Sequence, residues 1–506
     1  MGAVGSLFKR VGHYATASVV SILCGLISYP LFTRQLDVED YGTMGLIQVI
    51  LLAGVAAAKL GLQNSIIRLW PVYDRDASQR ARFSSTYFYT ALCLGLAATL
   101  VCLGVVLALG RALPPRLVWP LGIAALLIPT RALFSFAQNF LRARERSVGY
   151  ALVSISNAAL GLALAALFVL VVMSQRRLNG FYVGLLIAEV VVVIVALRVS
   201  FRGMPVRARD FDWSLLREGV WFGAPLILFE FSAILLGMGD RFIIQAFWSE
   251  RYLGLYTAAF SLAWQIASVY TFPVDMAVVP MYTNLYEREG PDAAREFLVR
   301  GTRLYYLLAL PVIAGLWAVR EDIIVVFASA KYSEAQSVLP VLIAGFLVFG
   351  GRAFLGAGLF LAKQSRLTAL VALGGALLNI VLNLLLVPRF GIEGSAIATT
   401  LGMLITTVAL CVCARRAFAF ALSLGRLVFY AAAAAAMGLV VALVRTAPAH
   451  GGSFAQHLLQ LVERIAVGLV VYAAFALAAE PQARTLLQAG LARLRGLRRA
   501  RGEPRC

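Results

Sequence analysis

Apolar runs of about 20 residues follow one another along almost the whole of this chain, with short polar segments between them. At 1.5 Å rise per residue, a run of that length as a helix matches a hydrocarbon layer about 30 Å thick. Fourteen runs can be marked. The first eight lie near residues 14–33, 43–66, 86–110, 117–141, 147–173, 180–199, 217–238 and 253–279. The other six lie near 302–328, 338–361, 367–387, 394–414, 425–444 and 460–479. Only helices and closed barrels satisfy their backbone in lipid, so the pattern predicts an all-α polytopic membrane protein of about 14 transmembrane helices. Pro30, Pro129, Pro225, Pro273 and Pro311 mark expected breaks. No inter-run segment is long enough for a soluble domain.

Polar positions inside the runs carry a second pattern. The stretch 218–257 holds Pro225, Glu230 and Gly239-Asp240-Arg241. Glu230 and Arg241 stand eleven residues apart, close to three helical turns, so one helix would place them on a shared face. Arg131, Ser135, Gln138 and Arg142 form such a stripe on the fourth helix, and Ser261, Gln265, Ser268 and Asp275 on the eighth. Lys59 and Gln63 are four apart on the second, followed by Asn64. Tyr14, Ser18, Ser21, Gly25 and Ser28 make a thinner stripe on the first.

Small and hydroxyl residues in membrane helices mostly serve packing, which is the default for the first helix. Arg142 and Lys363 sit at helix ends, where a long side chain snorkels to the interface. Asn379 and Asn383 more often join helices than touch a ligand. Lys59, Arg131, Arg352 and Glu230 lie deeper. An embedded charge costs several kcal/mol, so each faces a wet cavity or an internal ion pair, and both alternatives stand. Asp240-Arg241 also admits a third reading, as a cap at the end of the seventh helix.

The pattern repeats. Arg131 and Arg142 recur as Arg352 and Lys363, both at an offset of 221 residues, and Asn157 recurs as Asn379 at 222. Gly42 recurs as Gly254 at 212, and Gly180 as Gly394 at 214. The nearly constant offset predicts two six-helix lobes, residues 1–212 and 213–420. Six is even, so the lobes are parallel and related by a pseudo-two-fold axis along the membrane normal, with sites at their interface. Helices 13 and 14 (421–480) and a basic tail (481–506) fall outside the repeat.

Composition changes the picture in two respects. Of 506 residues, 61% are hydrophobic and 14% charged, where a soluble protein carries about a quarter charged. The net charge of +20 is unevenly spread. With the N-terminus inside, the inner segments hold 30 of the 45 Lys and Arg and the outer loops 12. The bias predicts cytoplasmic termini and accounts for the basicity without nucleic acid. The six cysteines lack zinc or disulfide-scaffold spacing, and the three histidines make no metal cluster. No nucleotide-binding, esterase or metalloprotease motif is present, so neither an enzyme nor a cofactor is expected.

Several pieces then carry a family likeness. They are Leu31-Phe-Thr-Arg-Gln-Leu36 with Tyr41-Gly42, Gly239-Asp240-Arg241 with Gly254-Leu-Tyr256, and Asn379-Ile-Val-Leu-Asn383 with Pro388-Arg-Phe-Gly-Ile-Glu-Gly394. In order and spacing, over about residues 5–420, the chain resembles the polysaccharide-transporter branch of the MATE-like MOP superfamily, the Wzx-type oligosaccharide flippases. The resemblance implies translocation of a polyprenyl-pyrophosphate-linked oligosaccharide, an O-antigen or exopolysaccharide repeat unit, across a bacterial inner membrane by alternating access. It implies membrane lipids as surroundings and a polysaccharide polymerase and other assembly proteins as candidate partners. A cation-coupled MATE-type exporter of small molecules is the alternative. A polymerase or ligase is a further one, disfavoured because no large outer loop is present.

A pyrophosphate-linked glycan needs cations for its head and polar walls for its sugars. Candidate cavity residues are therefore Lys59, Gln63, Arg131, Gln138, Arg241, Gln265 and Arg352. Glu230 and Asp275 are the candidates for ion coupling. Lys59, Arg131 and Arg352 are expected to surround a central cavity that is net positive when empty.

Overall fold

Long helices account for nearly all of the computed structural model, which describes residues 2–111, 113–420, 423–444 and 454–479, with side chains from Gly12 onward. The basic tail 481–506, with Cys506, and His450 lie outside the described residues. Among those described, twelve helices are long and apolar enough to cross a membrane, and the bent helix Trp213–Met238 makes a thirteenth. Ser365–Ala417, at 53 residues, is far too long for one crossing and turns at Gly391, where φ is 59°. Glycine alone adopts that conformation readily, so two spans meet there. This brings the number to the fourteen expected.

In chain order α1 is Gly12–Gln35, α2 Val38–Tyr73, α3 Ala77–Leu109, α4 Pro115–Ala143, α5 Ser147–Val172 and α6 Arg177–Ser200. Then come α7 Trp213–Met238, α8 Glu250–Glu289, α9 Pro291–Ala318 and α10 Ala330–Leu361. Residues 365–390 are α11 and 392–417 α12. α13 is Leu424–Leu443 and α14 Phe454–Leu477.

The breaks do not fall where most of the prolines do. Pro30, Pro273 and Pro311 lie inside uninterrupted helices. Neighbouring helices satisfy a freed carbonyl as well as the missing N–H would. Pro129 sits in the first turn after a break at Leu126, where a proline loses no hydrogen bond. α2 breaks at Leu60 and Gly61, both left-handed (φ 46° and 68°). α10 is stepped at Gly351 and Gly356. α7 bends by 47° between Ala224 and Leu226.

Helices α1–α6 and α7–α12 form two lobes, and α13 packs on α9 with α14 beside it. The lobes meet along a seam closed at both ends. At one end α2 and α8 touch backbone to backbone. A Cβ on Gly42 would lie 2.6 Å from the Glu250 carbonyl oxygen. The Tyr29 hydroxyl donates to the Ala258 carbonyl (2.9 Å), and Thr33 to that of Ala328 (3.1 Å). At the other end a Cβ on Gly223 would lie 2.8 Å from the Leu60 carbonyl oxygen. Only glycine permits either approach.

The linker between the lobes is tied down. Ser84 donates to the Pro205 carbonyl (2.9 Å), and Asp212 pairs with Arg82. The Asp212 carboxylate caps α7 by accepting from the Ser214 and Leu215 amides (2.9 and 3.3 Å).

Candidate functional site

Every deep cation sits beside an interruption of its helix. Lys59 is the last residue before the α2 break, Arg352 follows Gly351, and Arg241 stands two residues after Gly239 at the end of α7. Arg131 lies about one turn beyond Leu126. A broken helix exposes carbonyls that only protein or water can satisfy, so such places are where polar groups gather inside a membrane protein.

Each of these cations has a carboxylate partner. Lys59 Nζ donates to Glu230 Oε1 at 2.5 Å, across the seam from α2 to α7. Gln63 Nε2 donates to the other oxygen of Glu230 at 3.2 Å. Arg131 Nε donates to Glu189 Oε1 at 3.0 Å, and Thr130 to Oε2 of the same carboxylate. Arg352 Nη2 donates to Asp275 Oδ2 at 3.1 Å. Arg241 Nη1 donates to Asp240 Oδ1 at 3.3 Å, with its guanidinium over the Phe260 ring.

The expectation of three unpaired cations surrounding a net-positive cavity is corrected by this pairing. An uncompensated charge costs more in this setting than the pair does. Glu230 and Arg241 do not pair with each other: Glu230 reaches across the seam to Lys59 and Arg241 bonds Asp240.

Exposure separates the pairs. Asp240 and Arg241 are almost fully buried, so Arg241 faces protein rather than a cavity. The Asp240 carboxylate accepts from Tyr256 and, at 3.2 Å, from Thr399. Asn379 and Asn383 are fully buried beside Thr399, joining α11 to α12, and the side-chain oxygen of Asn383 has no partner among the described residues. The side chains of Arg352 and Asp275, by contrast, are 34% and 40% exposed. They line a cavity of about 1290 Å³ between α7, α8, α10 and α11. Glu287, Lys363 and Arg366 also line it, giving three cations and two carboxylates. Such a cavity can take an anion while its arginine stays partnered.

The remaining candidates are scattered. Gln138 donates to Ser154 (2.9 Å) and joins α4 to α5 within the first lobe. Gln265 is half-buried on α8, and its side-chain oxygen has no partner among the described residues.

Two groups escaped the sequence reading. Glu189 is a lone acid in the apolar run of α6, so the cost argument applied to Lys59 points to it equally. Asp322 holds His457 (2.9 Å) and Arg464 (2.7 Å), tying α14 to the short helix Arg320–Phe327 that follows α9. His457 and Arg464 are seven apart on α14, but nothing in residue spacing points to Asp322, which is more than 130 residues from either.

The family model described as polysaccharide biosynthesis protein matches residues 31–337. A Haloferax volcanii protein named as a probable low-salt glycan biosynthesis flippase is 23% identical over 169 residues, 33% of this chain and 36% of that protein. The chain covers between 36% and 44% of the length of the first curated relatives it matches. Among solved structures, lipid II flippase MurJ in an inward closed conformation superposes with a TM-score of 0.74 at 14% identity, over 92% of this chain and 98% of that one. A multidrug resistance MATE family transporter of the MOP superfamily, inward-facing, gives 0.66 at 15%, over 80% and 97%. With its fourteen spans in two lobes and more than half its length matched, this chain belongs to the polysaccharide biosynthesis protein family and has the fold of the MOP-superfamily transporters.

Proposed function

We propose that the protein is a flippase that carries a polyprenyl-pyrophosphate-linked oligosaccharide across a bacterial inner membrane by alternating access. It transports and does not catalyse. Its termini face the cytoplasm, and a polymerase and other assembly proteins take up the glycan it delivers. The observation that carries this reading is the Lys59–Glu230 pair, which joins the two lobes at a helix break inside the membrane.

Rocking the lobes apart separates that pair. Parting a buried pair costs about 3–5 kcal/mol when one charge is left alone. A pyrophosphate offsets the cost by taking Lys59. It carries more than one negative charge, so it competes well with a single carboxylate. Glu230 is then free to take a proton or a cation, which links substrate to a coupling ion. Arg352 and Asp275 form a second pair, within the second lobe, beside the large cavity that opens on the side of Lys363 and Arg366 and offers the arriving anion further cations. By the charge bias of the loops, that is the cytoplasmic side, from which a carrier lipid arrives.

The test is delivery of lipid-linked glycan to the outer leaflet in cells making wild type, Lys59→Ala or Arg352→Ala at equal membrane level. Delivery is expected to fall in both variants. Wild-type delivery from both overturns the assignment of these residues. Delivery by cells lacking the protein overturns the function.

A further inference from the structure

A groove of about 690 Å³ runs along the seam where α7 leaves the linker. Leu60, Tyr89 and Leu94 wall it from the first lobe, Phe211 from the linker, and Trp213 and Trp221 from the second lobe. Its lining is apolar with one charged group, Arg217, which has no ion-pair or hydrogen-bond partner among the described residues. Trp213, Arg217 and Trp221 follow at i, i+4 and i+8, so they share a face of α7. The two tryptophans are 72% and 74% exposed. In the floor, Thr90 is 5% exposed and its hydroxyl has no partner among the described residues.

We propose that this groove seats the isoprenoid chain of a polyprenyl phosphate, with the phosphate on Arg217. Resting on the transport reading above, it is the place where the carrier lipid waits beside the seam before the lobes part. Three observations favour that occupant. Tryptophans flanking an arginine mark the level of lipid headgroups, which puts the cation at phosphate depth and the groove at chain depth. The groove adjoins the Gly61–Gly223 approach, so a chain lying in it is already between the lobes when they open. Burial of the chain gains little, because lipid is as apolar as the groove, and selectivity therefore rests on the headgroup. A terminal phosphate or pyrophosphate offers Arg217 more charge and more free oxygens than a phosphodiester, and a guanidinium binds such groups bidentately.

The probe is a polyprenyl phosphate bearing a diazirine near its phosphate, photolysed with the full-length protein in phosphatidylcholine nanodiscs and mapped by peptide mass spectrometry. Label is expected on the segments 89–94 and 211–221. Unlabelled polyprenyl phosphate is expected to compete at least tenfold better than phosphatidylglycerol. Arg217→Ala is expected to lose the label and Arg217→Lys to keep part of it. Leu94→Trp, which fills the groove and leaves Arg217 in place, is expected to lose it as well. Label elsewhere, equal competition by phosphatidylglycerol (an annular lipid), or full label in Arg217→Ala overturns the site. Labelling needs no turnover. Label as expected in a protein that moves no glycan therefore counts against the transport reading alone, and transport without label here counts against this site alone.

Discussion

Lys59 and Glu230 stand 2.5 Å apart although 171 residues and a lobe boundary separate them. Gln63, one turn beyond Lys59 and past the α2 break, holds the other carboxylate oxygen. The cluster is a fastening rather than a fixed strut, because α2 is broken beside it and α7 bends a few residues before it. If it closes the seam, Glu230→Gln is expected to weaken closure. Cysteines replacing Arg68 and Phe222, whose side chains touch across the seam and leave both glycines in place, are expected to be joined by a short bis-maleimide more slowly in that variant than in otherwise wild-type protein. Unchanged cross-linking would mean that the glycine contact alone holds the seam.

The Arg131–Glu189 pair is internal to the first lobe, and its loss should read out as stability. Glu189→Leu leaves Arg131 without its carboxylate and is expected to cost about 3 kcal/mol. The double variant Glu189→Leu/Arg131→Leu is expected to recover most of that. Melting of the detergent-solubilised proteins checks it. A single variant as stable as wild type would show Arg131 already solvated.

Asp212 links the linker to α7. Asp212→Ala removes a helix cap and is expected to cost about 1 kcal/mol. The hydrogen bond from Ser214, the largest cause, holds the Asp212 carboxyl below the usual carboxylate range. A lowered folded-state value means the stabilisation is present above the unfolded-state value of about 3.9 and is lost as pH falls through the folded one. The stability gap between wild type and Asp212→Ala should therefore close in strong acid and be constant near neutrality. A gap that widens in acid would contradict this.

Much of this molecule is legible in its sequence, for a physical reason: hydrocarbon demands long apolar helices. The breaks were harder. Proline is a visible signal but is tolerated where neighbours satisfy the backbone, as at Pro273, while Leu60-Gly61 breaks α2 with no proline at all. The embedded cations were found by their cost, but their partners were not. Arg131 and Arg352 repeat at a constant offset, yet the first takes its acid from α6 and the second from α8. The repeat fixes where a cation sits, and tertiary packing chooses which acid answers it.

The glycine approach of α2 to α8 gives a further test. Gly42→Val sets a side chain against the Glu250 carbonyl and is expected to hold that end of the seam open. An Ala258→Cys reporter, buried in the closed seam, is expected to react faster with a membrane-impermeant maleimide in the Gly42→Val background. Equal rates would place the rocking motion elsewhere.

The proposed transport turns on one exchange: substrate pyrophosphate takes Lys59 from Glu230 as the lobes part. Its direct measurement is flipping of a fluorescent polyprenyl-pyrophosphate oligosaccharide in vesicles reconstituted with purified protein, scored by access of an added glycosidase to the opposite leaflet. Wild type is expected to flip. Lys59→Ala is expected to lose most of the rate, and Lys59→Arg to keep a substantial part, because charge is retained while geometry changes. Wild-type rates in Lys59→Ala, or flipping equally fast in protein-free vesicles, would contradict the account.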